Sequence, residues 1–546
     1  MGRWKCDEIV TFSHASEVNI SIYPSPDMNS GETVKNTQIQ TQAFIYLGPS
    51  SMSLIVTEIH DGDVRVIDFL TQPVPLARDV FRNGRISRST MDRCAQVMGD
   101  YMAILREYGS GTDLSTHFVM SNIISEAGNV DVFINRMHVA HGLRGRLIDD
   151  GKMTRLIYVK VQETLLHYPN FQKKNTMIVH VGPGNTRILL FEKGRITRYS
   201  SHRLGVHRTG EAIGEEDFGD DPAELAVMRE HIRGQIDQIR VDYAFVKDLA
   251  SIILIGEEVQ RLRNLFKPGR EGRVNVEMFT KVAEKMVRMT TEQRMLAYDA
   301  DFATVDALLP ALIINQSIVR ALAPREVIVP TSSYDQEFIL SLIRAEQNPG
   351  DLEGEVLHFA GILADRYMAD KDHRMHVARL CDSLFVDLQD LHRLTEHDRL
   401  LLQVAAILHE VGTYISPRHH NKHSQYIILN SEIFGLSRDD VEIVALLARY
   451  HRRETPSKSE VLYADLDQTD RMRVSKMAAI LRVADALERG HALRVKGVEA
   501  RLRGRNLELL LKDVRDTTVE EMALRIKGDL FSDIFGCDIV LVPDRR

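Results

Sequence analysis

The chain contains 546 residues, enough for about three to five domains. Hydrophobic residues make up 44% and charged residues 27%, proportions that exclude a disordered or fibrous chain. The formal net charge of −8 argues against wholesale nucleic-acid binding, so no nucleic-acid partner is expected. Four widely spaced cysteines (Cys6, Cys94, Cys381 and Cys537) favour a reducing, cytoplasmic location over a disulfide framework or a zinc ribbon. Neither a signal peptide nor a membrane span is expected.

The first part of the chain is predicted to contain a polar tail and then a β-rich unit. Residues 1–42 form the tail, because positions 24–42 are polar and rich in Pro, Gly, Ser and Asn. From Ala43 onward, apolar segments separated by turns predict a strand meander, followed by helices and further strands. The predicted strands lie within 43–48, 53–59, 60–70, 117–123 and 145–150, and the predicted helices cover 87–109, 129–142 and 152–168.

The same order of elements starts again near Thr176, where a strand, a Gly-rich turn and two further strands fill 176–201. This internal repeat predicts two related halves. From about Leu352 the apolar residues recur at helical spacing, and strands return only near 494, around one predicted helix. The predicted domains are therefore 43–175, 176–340, an all-helical 341–493 and a small α/β segment at 494–546.

The segment at 400–456 carries a family resemblance. Its sequence, LLLQVAAILHEVGTYISPRHHNKHSQYIILNSEIFGLSRDDVEIVALLARYHRRETP, closely resembles a characteristic block of the exopolyphosphatase/guanosine pentaphosphate phosphatase (Ppx/GppA) family. The resemblance implies an α/β plus all-α fold, with two actin-like (ASKHA, ribonuclease H-like) domains, a helical HD-like domain and a small C-terminal domain. It also implies a hydrolase of phosphoanhydride bonds, a polyphosphate or guanosine polyphosphate ligand, and a homodimer.

Five family motifs depart from their usual sequence. The family segment IDLGSNS is IYLGPSS here, which places Tyr46 at the Asp position; a tyrosine cannot coordinate a hard divalent cation as a carboxylate does. The segment DIGGGSTE is HVGPGNTR, which places His180 and Arg187 at the two acidic positions. Pro183 in that loop removes one N–H donor and fixes φ. The GTGGT-like loop is IGEEV at 255–259, with two carboxylates where phosphate would lie.

The two remaining departures affect the residues that act on phosphate. The arginine of the family motif TxxxRxAxN corresponds to Ser125. The second glutamate of SGxEEAR, which is the proposed general base of the family, corresponds to Met153, and a methionine cannot accept a proton. The actin-like module is therefore expected to be a pseudo-phosphatase, although the resemblance leaves the question of enzymatic activity open.

Several retained loop residues could still bind phosphate through N–H and hydroxyl groups. The alternative is that they only form tight turns. These residues are Gly48, Ser50, Ser51, Gly182, Gly184, Asn185 and Thr186.

The helical segment contains histidines and acids in an order that resembles the metal quartet of HD-domain phosphohydrolases. The predicted quartet is His376, His409, Glu410 and Asp485, with Glu410 at a position where the family pattern has Asp. Imidazole and carboxylate ligands suit a divalent ion such as Mg, Mn, Zn or Fe. His420, His423 and His451 could complete a second metal position. The alternative is that these histidines are hydrogen-bonded core residues.

The region 449–505 is basic in an acidic chain, with fourteen Lys and Arg against eight Asp and Glu. Arginine suits bidentate phosphate contact, so this region is a candidate polyanion-binding surface. A solvated helical face of mixed charge is the alternative. The candidate residues are Arg449, Arg452, Arg453, Arg501, Arg503 and Arg505.

Three functions follow from these observations. The first is a phosphohydrolase acting on polyphosphate or guanosine pentaphosphate through the actin-like domains. The second is a non-catalytic family member that binds polyphosphate, a guanosine polyphosphate or a protein partner. The third is a metal-dependent phosphohydrolase acting from the HD-like domain. The replaced acids favour the second.

Overall fold

The structure, a computed structural model, describes residues 40–60, 63–108, 114–166, 173–211, 222–298, 302–330, 334–347 and 353–543. Most of the predicted tail, 1–39, lies outside these residues, and 40–42 belong to the first strand. The chain divides into two units, Met1–Leu147 and Ile148–Arg546. Cys94, Cys381 and Cys537 are buried free thiols, whereas Cys6 lies outside the described residues.

The first unit is built on a five-stranded sheet in the order β3-β2-β1-β4-β5. Strands β1, β2 and β3 pair antiparallel, whereas β4 and β5 continue the sheet in parallel with β1. Ala43, Ile45 and Leu47 alternate along β1 and point to one core, as period-two strand geometry requires. The elements are β1 (Gln40–Leu47), β2 (Ser51–His60), β3 (Asp63–Pro73), α1 (Leu76–Asn83), α2 (Arg88–Tyr108), β4 (Ser115–Met120), α3 (Val130–His141) and β5 (Arg146–Leu147).

The second unit begins with a helix and a six-stranded sheet in the order β10-β11-β9-β6-β7-β8. Its strands β8-β7-β6-β9 repeat the order and directions of β3-β2-β1-β4, which confirms the predicted internal repeat. These elements are α4 (Asp150–Leu166), β6 (Thr176–Val181), β7 (Thr186–Glu192), β8 (Arg195–His202), α5 (Val206–Glu211), α6 (Pro222–Asp242), β9 (Ser251–Ile255), α7 (Glu257–Arg261), β10 (Arg273–Val274), α8 (Val276–Val287), α9 (Thr291–Tyr298), α10 (Phe302–Leu322), β11 (Glu326–Ile328) and α11 (Tyr334–Gln347).

Helix α10 forms the centre of the core beside this sheet. Its window Val305–Leu322 is long and apolar enough to cross a membrane by composition, but 72% of that window is buried inside the protein. Leu309, Leu312 and Ile318 belong to the same apolar cluster as the strands β6 and β9. The apolarity of α10 therefore matches a core helix.

The described parts of the segment predicted to be all-helical, 341–347 and 353–493, contain helices and loops without strands. Two of its helices start at capping boxes, Thr395 with Asp398 and Ser437 with Asp440, which satisfy the free N–H groups of the first turn. Helix α19 is buried along most of its length and packs on three other helices of the segment. The helices are α12 (Glu353–Arg366), α13 (Lys371–Asp387), α14 (Gln389–His392), α15 (Glu396–Leu408), α16 (His420–Leu429), α17 (Arg438–Tyr450), α18 (Val461–Asp465) and α19 (Gln468–Leu487).

The C-terminal segment forms a three-stranded sheet in the order β12-β13-β14. Two helices stand where one was predicted, because one ends at Lys527 and the next begins at Asp529, with Gly528 between them. Both helices contact α19, so the segment packs on the helical domain. The elements are β12 (Val498–Arg503), β13 (Asn506–Leu511), α20 (Thr518–Lys527), α21 (Asp529–Phe535) and β14 (Asp538–Pro543).

Candidate functional site

The first phosphate-type loop lies between β1 and β2. Gly48 N donates to Ser51 O at 2.8 Å and closes the turn, and Ser50 O accepts from Val74 N. The ring of Tyr46 is buried beside Gly48, at the position where the family has an aspartate. The loop therefore keeps its turn, while an aromatic ring takes the place of the carboxylate.

In the TxxxRxAxN motif, Ser125 stands at the arginine position and Asn129 at the final asparagine, and the two have separate structural roles. The Ser125 hydroxyl donates to Asn122 O at 2.6 Å, within its own turn. Asn129 accepts from Ile86 N and donates to Ile86 O, both at 2.9 Å. The retained asparagine thus fixes a loop, and Ser125 offers no positive charge to a phosphate.

The second loop, Gly182–Asn185, is closed by its own turn and by α5. Gly182 N donates to Asn185 O at 3.0 Å, and Pro183 O accepts from His207 N and Arg208 N in the first turn of α5. Gly205 packs so closely on Gly184 that a Cβ there would lie 2.3 Å from the Gly184 carbonyl carbon. The Thr186 hydroxyl, predicted as a phosphate donor, donates to Leu204 O at 2.6 Å and is already used.

His180 and Arg187 are direct cross-strand partners on β6 and β7. The family has an acid at each of these positions, so the pair is basic instead. Arg187 is 4% exposed, and its Nη2 donates to Asp150 Oδ1 at 2.6 Å. Asp150 and the buried Met153 lie three residues apart on α4 and therefore share one face of that helix. Met153, which stands at the family base position, is thus a helix neighbour of the residue that pairs with Arg187. The two family acid positions therefore hold a histidine and an arginine here, and the arginine is paired with Asp150.

In the helical domain, two groups of side chains have the geometry to hold a metal ion. One group is His373, His409 and Asp485, all buried, and the other is His373, Glu410 and His491; within each, the ligand atoms lie within 4.8 Å of one another. Asp485 Oδ1 is 3.8 Å from His373 Nε2 and 4.0 Å from His409 Nε2. We call these five residues the histidine cluster.

Unsatisfied nitrogens in the histidine cluster fit a bound cation. Neither ring nitrogen of His373 nor Nε2 of His409 has a hydrogen-bond partner in the part of the chain that the structure describes. His409 Nδ1 bonds Ala406 O at 2.8 Å, which leaves Nε2 as the free ligand atom. Burial, reinforced by His409, lowers the pKa of His373 to about 4, so its imidazole is neutral, as a metal ligand must be.

Asp485 also pairs with a lysine from the C-terminal segment. Lys527 Nζ donates to Asp485 Oδ2, and the lysine is 7% exposed. Burial opposes ionisation of Asp485, but the ammonium of Lys527, which also donates a hydrogen bond to it, holds its pKa well below the usual range. The carboxylate is therefore ionised and faces two sets of partners.

Among the described residues, four of the predicted ligands lie outside the two metal-type groups: His376, His420, His423 and His451. His376 lies outside the cluster because its Nε2 bonds Val495 O at 2.7 Å; His373, one turn earlier on α13, points to Asp485 instead. His420 Nε2 lies 3.1 Å from His451 Nε2, beside His409. His423 joins neither metal-type group among the described residues.

The candidate polyanion surface is less basic than its sequence suggests. Arg449 Nη2 lies 3.1 Å from Glu454 and 3.0 Å from Glu460, so its charge is compensated. Arg501 and Arg503 each pair with a carboxylate of the hairpin β12–β13. Three candidates have no ion pair among the described salt bridges; they are Arg452, Arg453 and Arg505, all at least partly exposed.

A separate polar cavity of about 410 Å³ lies beside β8, α6 and α12. Arg198, Asp242, Arg366 and Glu432 contribute charge to its wall, and Phe359 belongs to its apolar side. Glu432 Oε2 accepts from Ser201 N at 2.6 Å, and burial raises the pKa of Glu432 to about 7. Its volume is within the usual range for small-molecule sites.

Sequence reasoning missed three residues in or beside the histidine cluster: His373, His491 and Lys527. His373 and His376 lie three residues apart on one helix, so spacing alone does not choose between them. The His491 ring stacks on the His373 ring at a centroid distance of 3.7 Å, from the loop after α19. That contact and the Lys527 ion pair depend on tertiary packing, for which the sequence carries no local signal.

Two sheets with a shared strand order, followed by a helical domain, define an actin-like fold with an appended helical module. The family model "Ppx/GppA phosphatase family" matches residues 55–344, and "Ppx/GppA phosphatase, domain III" matches 360–530. The chain belongs to the Ppx/GppA phosphatase family.

Curated relatives of similar length support this membership. A guanosine-5'-triphosphate,3'-diphosphate pyrophosphatase from Aeromonas hydrophila subsp. hydrophila is 22% identical over 457 residues, covering 81% of this chain and 86% of its own length. The enzyme of the same name from Pseudoalteromonas translucida is 22% identical over 430 residues, covering 76% and 82%. Among solved structures, an exopolyphosphatase from Cytophaga hutchinsonii is 15% identical with a TM-score of 0.48, covering 56% of this chain and 98% of its own.

Proposed function

We propose that this chain is a catalytically degenerate member of its family. It binds polyphosphate or a guanosine polyphosphate at its phosphate-type loops without hydrolysing it. A protein partner is the alternative ligand. The observation that carries the proposal is the replacement of two acids by the cross-strand pair His180 and Arg187, with Met153 on the helix that supplies Asp150, the partner of Arg187. Hydrolysis of a phosphoanhydride needs a base for the attacking water and a cation on the phosphate. The Arg187 guanidinium, which shares its charge with the largely exposed Asp150, favours an anion more than the family acid would, and Met153 cannot take the proton.

The ligand class comes from the family. Two curated relatives carry names for an enzyme that acts on guanosine-5'-triphosphate,3'-diphosphate. Because a polyanion is held largely by electrostatics, affinity for polyphosphate should fall steeply with salt.

The test compares binding with turnover on the full-length protein. We expect polyphosphate or guanosine pentaphosphate to bind in calorimetry, with no phosphate released in the presence of Mg²⁺ or Mn²⁺. Arg187→Glu should weaken binding at least about tenfold, because it reverses a charge at the loop. Arg320→Glu is the control for charge reversal away from the loop, since Arg320 forms an exposed pair with Glu284 on α8. Steady phosphate release by the unaltered protein would overturn the proposal, and thermal unfolding checks that each variant is folded.

A second candidate function is metal-dependent phosphohydrolysis from the helical domain, which we propose is HD-like. Its supporting observation is the buried, unpartnered nitrogens of His373 and His409 that face Asp485. Imidazole with carboxylate suits Mn, Fe or Zn better than Mg. A bound ion would supply Lewis-acid character to a phosphoryl oxygen. His409 and His373 would hold it, and Glu410 and His491 stand beside them.

Metal analysis separates this candidate from the first. Stoichiometric metal in the purified protein, lost in His409→Ala but retained in His397→Ala, would support it, because His397 pairs with Asp440 outside the cluster. Phosphate release that also disappears only in His409→Ala would assign the hydrolysis to this domain. Metal-free protein that takes up none of these ions on addition would exclude it.

Three further properties are proposed from the family resemblance and composition. We infer a homodimer, a cytoplasmic location, and no stable association with membranes or nucleic acid. Sedimentation at several protein concentrations tests the dimer, and a sedimenting monomer would contradict it. Fractionation of the source cells tests the location.

A further inference from the structure

Lys527 ends α20, the first helix of the C-terminal segment, and its side chain reaches into the helical domain. The lysine is 7% exposed, and Nζ donates to Asp485 Oδ2. Buried lysines are rare and need a counter-charge, which Asp485 supplies on α19. The pair joins residues 42 positions apart in sequence.

The two oxygens of Asp485 face different partners. Oδ2 accepts from Lys527, whereas Oδ1 lies 3.8 Å from His373 Nε2 and 4.0 Å from His409 Nε2. Neither of these histidine nitrogens has a hydrogen-bond partner in the described part of the chain. One carboxylate therefore stands between a protein ammonium and two free imidazole ligand atoms.

We infer that Lys527 is an internal cation that competes with a divalent metal ion for Asp485 and sets the metal affinity of the histidine cluster. This inference rests on the proposed metal site. An ammonium on the ligand carboxylate reduces the negative charge that an entering ion encounters, and it repels that ion directly. Metal binding then requires Lys527 to leave Asp485.

A second ion pair, which does not involve Lys527, joins the C-terminal segment to the helical domain. Helix α21 is held separately, because Arg482 Nη1 on α19 pairs with Asp529 at 2.8 Å. Arg482 also donates to Tyr450 O and Glu454 O, so its position is fixed. Release of Lys527 therefore leaves a second ion pair between the segment and the helical domain.

The first experiment titrates Mn²⁺ into metal-free, full-length protein by calorimetry. Lys527→Met keeps most of the aliphatic chain and removes the charge, so we expect Mn²⁺ to bind about 10–100-fold more tightly. The matched control is Lys512→Met, because Lys512 forms a half-exposed pair with Glu499 in the same segment. The control should bind as the unaltered protein does. Equal affinity in Lys527→Met and the unaltered protein would overturn the inference while leaving the metal site standing.

The second experiment needs no variant. Lysines of the native protein are acetylated with a limiting reagent, with and without saturating Mn²⁺, and Lys527 is quantified by mass spectrometry. We expect Lys527 to react several-fold faster with Mn²⁺, with Lys512 unchanged as the internal reference. An unchanged Lys527 rate at saturating Mn²⁺ would contradict the inference. If Mn²⁺ binds neither the unaltered protein nor Lys527→Met, the proposed metal site itself is wrong.

Discussion

The ion pair between Arg187 and Asp150 gives an asymmetric prediction about stability. The Arg187 side chain is 4% exposed, whereas that of Asp150 is 58% exposed. Removing Asp150 leaves a guanidinium buried without its counter-charge, but removing Arg187 leaves a carboxylate that water can solvate. Asp150→Ala should therefore destabilise the protein much more than Arg187→Met.

The magnitudes follow from this difference in exposure. Loss of one partner from a fully buried pair costs ~3–5 kcal/mol. Because water reaches Asp150, we reduce this to about 2–3 kcal/mol for Asp150→Ala. That value includes ~0.5 kcal/mol from the loss of an acid in the first turn of α4. Arg187→Met should cost at most about 1 kcal/mol. The double variant should show a coupling energy of about 1.5–2 kcal/mol.

The assay is a double-mutant cycle in urea, followed by circular dichroism. Hydrogen exchange of the α4 amides identifies the transition that includes Asp150, because a chain with several domains need not unfold in one step. Equal costs for the two single variants, or additivity within about 0.5 kcal/mol, would refute the reasoning. Either result would mean that Arg187 does not depend on Asp150.

Three further predictions concern packing and titration. Gly151→Ala should cost about 2–3 kcal/mol of stability, since its Cβ would lie 2.4 Å from the backbone carbonyl carbon of Leu436. Gly234→Ala, in open space on α6, should instead stabilise the protein by ~0.5–1 kcal/mol. Equal effects of the two variants in urea unfolding would contradict this. Burial lowers the pKa of His392, whose Nδ1 accepts a hydrogen bond from Leu394 N. Protonation would break that bond, so the free energy of unfolding should fall by ~1 kcal/mol as the pH drops below about 6.5. His392→Gln should reduce the pH dependence of the urea midpoint. Burial raises the pKa of Glu432 to about 7, so its ionisation costs stability as the pH rises through 7. Glu432→Gln should leave the free energy of unfolding unchanged at about pH 5. At about pH 8 it should raise that free energy by at most ~1 kcal/mol, because water partly screens the exposed side chain.

Local patterns predicted the strands and helices of this chain well, because burial and capping act over a few residues. The strand predicted at Ala43 is β1, and the strand that begins the repeat at Thr176 is β6. They occupy corresponding places in their sheets, β1 between β2 and β4, and β6 between β7 and β9. The capping boxes of α15 and α17 fix two helix starts. The helix predicted as continuous through Gly528 divides in the structure.

Side-chain partners were harder to predict, because they depend on contacts distant in sequence. His376 and His373 are equivalent by spacing, and only Val495 and Asp485, both more than a hundred residues away, distinguish them. The basic count around Arg449 overstated the local charge. Charge counts omit the pairing that folding creates.

A protein cation stands at each of the two candidate sites. Arg187 occupies an acidic family position, and Lys527 holds Asp485 beside the histidine cluster. A protein cation attracts a phosphate anion but cannot lower the pKa of a bound water as Zn²⁺ or Mn²⁺ does. Polyphosphate binding should therefore be unchanged within about twofold by EDTA or by added Mg²⁺, while it weakens steeply between 50 and 200 mM salt. Binding that needs Mg²⁺ would show that the replaced acids were not the residues that held the cation.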